Sequence, residues 1–121
     1  MSSFTKPLKL EYLDGENWIL LDSFIYYTDV LELRQYIKVP VGFKTNFASI
    51  PKFLWGIYSP TDRRYGKAAV VHDYLYSRGY FERKICDKIF LEAMGVLNSP
   101  TYLKYLFYWN VRLFGKSYYK N

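Results

Sequence analysis

The residue types best suited to chemistry lie in the seven residues VVHDYLY, from Val70 to Tyr76. This stretch holds the only histidine of the chain, His72, with Asp73 directly after it and Tyr76 four positions on. Histidine changes its charge near neutral pH, so it can take up and release protons in a reaction. In a helix, residues i and i+4 share a face, and Tyr76 is therefore expected beside His72.

The next predicted helix supplies an acidic partner for this histidine. A short connection around Gly79 makes the two helices antiparallel neighbours, and Asp87 and His72 lie at similar distances from that turn. A carboxylate bonded to one imidazole nitrogen sets the tautomer and strengthens the other nitrogen as a base. His72, Asp87 and Tyr76 are therefore the candidate catalytic residues. The alternative is a core histidine that only joins two helices.

The spacing HDYLY, followed by an aspartate early in a second helix (ICDKIF), resembles the HDxxY core of phospholipase A2 enzymes. The resemblance implies that His72 activates a water molecule and that Asp87 and Tyr76 orient it. It also implies that Asp73 binds calcium, which is the only cofactor suggested by any feature of the chain. The resemblance covers about 25 residues, and the glycine-rich calcium loop of those enzymes has no clear counterpart. Calcium takes six to eight oxygen ligands, more than one carboxylate supplies.

A second resemblance covers nearly the whole chain and concerns a small uncharacterised family, a domain of unknown function found in phages and prophages. It rests on the segments VPVGFKTNFASIPKFLW, YGKAAVVHDYLY, CDKIFLEAMGV and VRLFG. Members usually carry a TDFASIP-like segment, and Asn46 stands here in place of its aspartate. The resemblance implies a viral setting, with synthesis in a host cytoplasm and incorporation into the virion as one destination. It implies no settled chemistry.

The segment NFASIP has two interpretations. Asn46 can form an Asx turn, Ser49 can bond the local backbone and Pro51 restricts the residue before it, which together describe a rigid turn. Alternatively, Asn46 and Ser49 line a polar pocket near His72. A triad of Ser49, His72 and Asp87 is compatible with the residue types, but Ser49 lacks the G-x-S-x-G context that exposes a nucleophile. The sequence therefore does not favour that triad.

Hydropathy patterns predict the elements that must position these side chains. Alternating or apolar runs predict strands, and stripes at helical spacing predict three helices. The predicted strands are Leu8–Leu13, Asn17–Tyr27 with a bend near Asp22, and Leu31–Val39, and the predicted helices are Ala68–Arg78, Glu82–Leu97 and one that opens at Ser99-Pro100 and closes at Gly115. The fold class is α+β: an N-terminal antiparallel sheet of three to four strands with three C-terminal helices packed on it.

The length of 121 residues predicts a single domain, 1–121. Within it we expect mainly strands over 1–45, an ordered connecting loop over 46–67, helices over 68–116 and a short basic tail over 117–121. The lone Cys86 excludes an internal disulfide, and one histidine with one cysteine disfavours a structural zinc site. No apolar run reaches the length of a transmembrane segment.

The net charge of +6 is unevenly distributed. Residues 1–60 carry six basic and six acidic side chains, whereas residues 61–121 carry eleven and five. Such a surface suits an anionic partner. No recognised nucleic-acid motif accompanies the charge, so the expected partners are phage structural proteins or an anionic lipid surface.

Two hypotheses of function follow. The first is a phage-encoded hydrolase that acts on a lipid or on the cell envelope, with His72 activating a water. The second is a non-enzymatic virion component of a tail, neck or baseplate, in which His72 and Asp87 form an internal brace. A solvent-accessible cleft beside His72 and Asp73 favours the first hypothesis. A closed His72 with protein partners on both nitrogens would rule out this water-activating hydrolase and favour the second hypothesis.

Overall fold

The computed structural model describes residues 2–15, 17–30, 35–79 and 81–119. Short strands come first and helices follow, which confirms the predicted α+β class. The strands are β1 Ser3–Phe4, β2 Leu10–Asp14, β3 Asn17–Leu20, β4 Phe24–Thr28, β5 Gln35–Val39 and β6 Lys44–Thr45, and the helices are α1 Gly66–Arg78, α2 Arg83–Val96 and α3 Thr101–Phe114. Short 3-10 helices occur at Lys52–Leu54 and Gly115–Tyr118.

The strands form two antiparallel sheets of three strands each rather than one sheet. Their orders are β1-β4-β5 and β2-β3-β6. The bend expected near Asp22 is the break between β3 and β4, which sends consecutive strands into different sheets. The first four residues of the predicted strand Leu31–Val39 lie outside the described residues. The two-residue strand β6 was not predicted, and its pairing of Thr45 with Trp18 places the segment that follows it.

The helix pair that carries the candidate site is built as expected. Gly79 follows α1 in the left-handed conformation (φ 64°), a backbone geometry that glycine adopts without a Cβ penalty. Ser99 does not cap α3, although a serine before a proline is typical of a helix start. The Ser99 hydroxyl donates to the Arg64 carbonyl instead of capping the helix, and Pro100 occupies the cap position. Ser99 thereby ties the α2–α3 connection to the loop before α1.

The core lies between the sheets and the three helices. Tyr26 and Thr28 of β4 each donate a 2.7 Å hydrogen bond to Glu92, which ties the first sheet to α2. Helix α1 is the most enclosed element, because its residues 68–72 are all buried. Its central position places His72 among the core side chains. In the part of the chain that the structure describes, no helix is long and apolar enough to cross a membrane.

Candidate active site

The loop after β6 brings its polar side chains towards α1 through two local turns. The Thr45 hydroxyl oxygen accepts the Phe47 N–H at 3.1 Å, and the Asn46 carboxamide oxygen accepts the Ala48 N–H at 3.0 Å, which is the expected Asx turn. Phe47 has a positive φ of 52°, uncommon for a residue with a side chain. Its buried ring packs edge-on against Trp18, with centroids 5.1 Å apart. This anchoring holds the loop so that Ser49 faces α1.

His72 has a protein partner on each ring nitrogen. Ser49 Oγ lies 2.6 Å from Nδ1, and Asp87 Oδ1 lies 2.6 Å from Nε2. The imidazole stacks on Phe90 with centroids 4.7 Å apart, and only 1% of the residue is exposed. The contact that the helix pairing predicted, between His72 and Asp87, is therefore present. The same geometry brings Ser49, His72 and Asp87 into a continuous chain, which the sequence did not favour.

Asp87 is a buried carboxylate with several charged and polar donors. Tyr76 donates its hydroxyl to Oδ1 at 2.5 Å, and Arg112 Nη1 donates to Oδ2 at 2.7 Å. Burial alone opposes ionisation, but the hydrogen bonds from His72, Tyr76 and Arg112 outweigh it and lower the pKa of Asp87 below its usual value. Asp87 therefore remains negatively charged at neutral pH.

Tyr76 contacts both members of the helix pair. Its ring centroid lies 4.0 Å from that of His72, and its hydroxyl bonds Asp87. Burial and the neighbouring Asp87 carboxylate raise the pKa of Tyr76 above its usual value, so it stays a neutral donor. This placement suits the orienting role that the sequence analysis gave it.

Asp73 faces the loop rather than α2. Its Oδ1 lies 2.5 Å from Ser49 Oγ and its Oδ2 lies 2.5 Å from Thr45 Oγ1. Burial raises the pKa of Asp73 in spite of these hydrogen bonds, which act in the opposite direction. Ser49 Oγ therefore lies between His72 Nδ1 and a carboxyl group whose pKa is raised, and it donates to that carboxyl group. When Asp73 carries a proton, it can donate to Ser49, and the Ser49 hydroxyl can then donate to His72.

A cleft of about 270 Å³ opens beside this network. Every candidate site residue except Asp87 lines it; Asp87 lies behind His72. The polar lining comprises Asn17, Lys44, Thr45, Asn46, Ser49, His72, Asp73, Tyr76, Ser77, Asn110 and Tyr118. Side chains with perturbed pKa values beside a well-formed cleft are the usual starting point for locating an active site.

Two members of the network, Thr45 and Arg112, were not predicted from the sequence. Thr45 is a short hydroxyl residue within a loop motif, and no spacing rule relates it to Asp73, 28 positions later. Arg112 is a cation near the end of α3, but the carboxylate it meets depends on how α3 packs on α2. Both contacts are long-range, so periodicity alone gives no signal for them.

The arrangement does not suit the phospholipase-like roles of His72 and Asp73. The Nδ1 position that would hold the attacking water faces Ser49 Oγ instead. The Asp73 oxygens are engaged by Ser49 and Thr45, and no group of three metal-binding His, Cys, Asp or Glu side chains occurs among the described residues. Calcium needs six to eight oxygens, and this donor set does not match that requirement.

The comparison with protein families returns one match. Residues 18–111 match the model of a family described as a protein of unknown function (DUF1353). No curated protein and no solved structure matches the chain. The matched range contains both turns of the loop, the helix pair and all of the predicted site residues.

Proposed function

The chain belongs to the family described as protein of unknown function (DUF1353), and on that premise we propose that it is a hydrolase of acyl esters with Ser49 as its nucleophile. The observation that carries the proposal is the hydrogen-bonded chain from Ser49 Oγ through His72 to Asp87, at the wall of the 270 Å³ cleft. The three side chains have the roles of nucleophile, base and orienting carboxylate.

The buried histidine distinguishes this proposal from water activation by His72. A histidine that activates water needs one nitrogen open to solvent. In a serine–histidine–aspartate arrangement both nitrogens are satisfied in the resting state, because the nucleophile itself occupies the second one. The attacking atom is then the serine oxygen, and Ser49, itself only 3% exposed, lines the cleft. The low exposure of His72 is compatible with this form of the hydrolase hypothesis.

The proposed reaction has two steps. Ser49 Oγ attacks the ester carbonyl, its proton passes to His72 Nδ1, and the carbon–oxygen bond to the leaving alcohol breaks as His72 returns the proton to it. Water then attacks the acyl-serine with His72 as base, releasing the acid and restoring the Ser49 hydroxyl. Asp87 stabilises the transient imidazolium. Asn46 lines the cleft close to Ser49 in the chain and is our candidate donor for the developing oxyanion.

The substrate class in this proposal is an ester-linked lipid or another acylated component of the cell envelope, in a phage setting. The cleft is small and partly apolar, with Phe43, Ala48 and Val111 in its lining. Such a lining favours an acyl chain over a highly charged ligand.

Labelling with a fluorophosphonate, which reacts with activated serines, tests the proposal directly. We expect one adduct on the wild-type protein, mapped to Ser49 by peptide mass spectrometry, and none on Ser49→Ala. Ser77→Ala is the matched control, because Ser77 lines the same cleft but bonds the Tyr74 carbonyl. It should label like wild type, and His72→Gln should label much more slowly.

Absence of an adduct on folded wild-type protein, beside an active serine hydrolase as positive control, would contradict the proposal. So would an adduct that persists in Ser49→Ala. Released acid from p-nitrophenyl esters of several chain lengths and from mixed phospholipid vesicles would then identify the acyl preference of a labelled protein.

A second candidate function is a non-enzymatic part of a phage particle, such as a tail, neck or baseplate subunit. The observation that favours it is the closure of the network: His72 is 1% exposed, and each nitrogen has a protein partner. In that case Ser49→Ala lowers the free energy of unfolding but wild type shows neither labelling nor turnover. Co-purification with particles would support this function.

A further inference from the structure

One face of α3 is apolar, aromatic and exposed to solvent. The face, called here the aromatic face, consists of Tyr102, Tyr105, Leu106, Trp109 and Leu113, all exposed among the described residues. Their spacing of three, four or seven positions puts them on one side of a helix. The opposite side, with Leu103, Phe107 and Val111, is buried in the core. Helix α3 has already buried one apolar stripe in the core. The aromatic face is therefore a second apolar surface of the same helix, and it is exposed to solvent.

The charged residues of α3 and of the 3-10 helix after it are all basic. From Thr101 to Tyr119 the chain carries Lys104, Arg112 and Lys116 and no acidic residue. Lys104 Nζ lies 5.7 Å from the centre of the Tyr105 ring, at the border of the face. Arg112 is engaged by Asp87, whereas Lys116 is exposed on the 3-10 helix that continues α3. An anionic partner would supply the negative charge that this segment lacks.

We propose that the aromatic face of α3 docks on an anionic lipid surface. Tryptophan and tyrosine favour the boundary between lipid head groups and acyl chains, leucine contributes apolar area beneath it, and lysine pairs with anionic head groups. Because the other side of α3 is packed in the core, the helix would lie flat on the surface. A second copy of this chain fits less well, since a twofold contact through this face would bring like charges together with no carboxylate from α3 between them.

The cleft is lined by residues of α3 other than those of the aromatic face. Asn110, Val111 and Gly115 line the cleft from the same helix and its continuation, and so does Tyr118, whose side chain is also exposed. The inference stands on exposure and charge and does not require Ser49 to react, so binding is measured without turnover.

The experiment is co-flotation of the full chain with vesicles of phosphatidylcholine and phosphatidylglycerol, beside vesicles of phosphatidylcholine alone. The test variant is Trp109→Glu with Leu113→Glu, at positions 55% and 69% exposed. The matched control is Tyr36→Glu with Val41→Glu, at 66% and 62% exposed and far from α3 in the chain. Both double variants carry the same net charge. Circular dichroism confirms that each one is folded.

We expect wild type and the control variant to float with the anionic vesicles, and binding to fall as salt is added. The α3 variant should bind at least about tenfold more weakly, because it loses two large apolar side chains from the contact. Tryptophan emission of wild type should shift to shorter wavelength on binding, and the shift should be lost in the α3 variant, which lacks Trp109. Ser49→Ala should bind like wild type, which separates this inference from the proposed reaction.

Three outcomes would overturn the inference. Wild type that does not float with anionic vesicles has no lipid-docking face. Equal binding by the α3 variant and the control would place the contact elsewhere on the molecule. A lipid-free dimer that the α3 variant converts to a monomer would assign the face to a second copy of the chain.

Discussion

Arg112 of α3 donates a 2.7 Å hydrogen bond to Asp87 of α2, 25 positions earlier in the chain. Asp87 thereby receives a guanidinium on one oxygen and both His72 and Tyr76 on the other. A buried carboxylate is tolerated when charge and hydrogen bonds replace its lost hydration. The three helices are therefore joined through one carboxylate, and the site depends on the packing of α3 as much as on α1 and α2.

Removing the Arg112 guanidinium should destabilise the fold. For Arg112→Met we expect a loss of about 2 kcal/mol in the free energy of unfolding. Breaking a buried ion pair costs about 3–5 kcal/mol, but Arg112 is partly exposed and Arg83 lies 3.9 Å from the same Asp87 oxygen. Urea unfolding at neutral pH measures the change. Lys88→Met, an exposed lysine beside Asp87 in sequence, should change stability by less than about 0.5 kcal/mol. Equal effects of the two substitutions would contradict the prediction.

Ionisation of the buried Asp73 carboxyl group should lower the free energy of unfolding as pH rises. Its pKa is raised from 3.8 in the folded state, chiefly by burial, so the folded chain holds this proton more tightly than the unfolded chain does. Its contribution is complete below about 3.8 and is lost as pH climbs towards the raised value. The asparagine of the Asp73→Asn variant cannot ionise, so the variant does not show this decrease in the free energy of unfolding. The variant should therefore gain stability relative to wild type as pH increases from about 4, measured by urea unfolding at a series of pH values.

Asp62→Asn provides a control of opposite sign. Hydrogen bonds from Arg64 lower the pKa of Asp62, so this group adds stability above its ordinary pKa and loses it as pH falls. The Asp62 variant should lose stability relative to wild type only as pH rises to about 4, below the interval in which the Asp73 variant gains it, and its difference from wild type should be constant above that pH. If the free energy of unfolding of both variants, relative to wild type, changed with pH in the same way, burial of Asp73 would not govern its titration.

Gly115 leaves room for the Tyr76 hydroxyl. A Cβ at this position would lie 2.9 Å from the Tyr76 hydroxyl oxygen and 3.2 Å from its Cε2. The backbone there is in the ordinary helical region, so only the contact opposes alanine. Gly115→Ala should cost about 1–3 kcal/mol, the usual effect of overpacking. Tyr76→Phe should cost about 1–2 kcal/mol through its lost hydrogen bond to Asp87.

The double variant separates these effects. Phenylalanine lacks the hydroxyl that a Cβ would meet, so Gly115→Ala should cost at least about 0.5 kcal/mol less in the Tyr76→Phe background. Gly95→Ala is the control, because among the described residues a Cβ there would approach only Lys104 Nζ, at 3.8 Å. It should be neutral or stabilising in both backgrounds. If the stability costs of Gly115→Ala and Tyr76→Phe were additive, the close approach between a Cβ at position 115 and the Tyr76 hydroxyl would be contradicted.

The sequence predicted those parts of the site that depend on local periodicity. His72, Tyr76 and Asp87 follow from helical spacing and one short turn, and the glycine that ends α1 identifies that turn. The two sheets and the Ser49 contact depend on other information. A two-residue strand, β6, sets the position of the loop by pairing with β3, and the positive φ of Phe47 turns Ser49 towards His72. Neither feature has a repeating pattern, so the sequence indicates that Ser49 lines a pocket and does not indicate the nucleophile that we propose.

The buried thiol of Cys86 should be inert in the folded chain. Burial, followed by the nearby Asp87 charge, raises the pKa of Cys86 to about 12, and the reactive species is the thiolate. At mildly alkaline pH we expect a disulfide reagent such as dithionitrobenzoate to react at least about 1,000-fold more slowly with native protein than with protein in guanidinium, because reaction requires local or global opening. A substitution that lowers the opening free energy by about 1.4 kcal/mol should speed native reaction about tenfold.

Ser77→Cys in a Cys86→Ala background places the thiol at an exposed position of α1 and should react without this protection. Comparable rates for Cys86 in native and unfolded protein would show that α1 and α2 do not shield it, and would also put the burial of the neighbouring Asp87 in doubt.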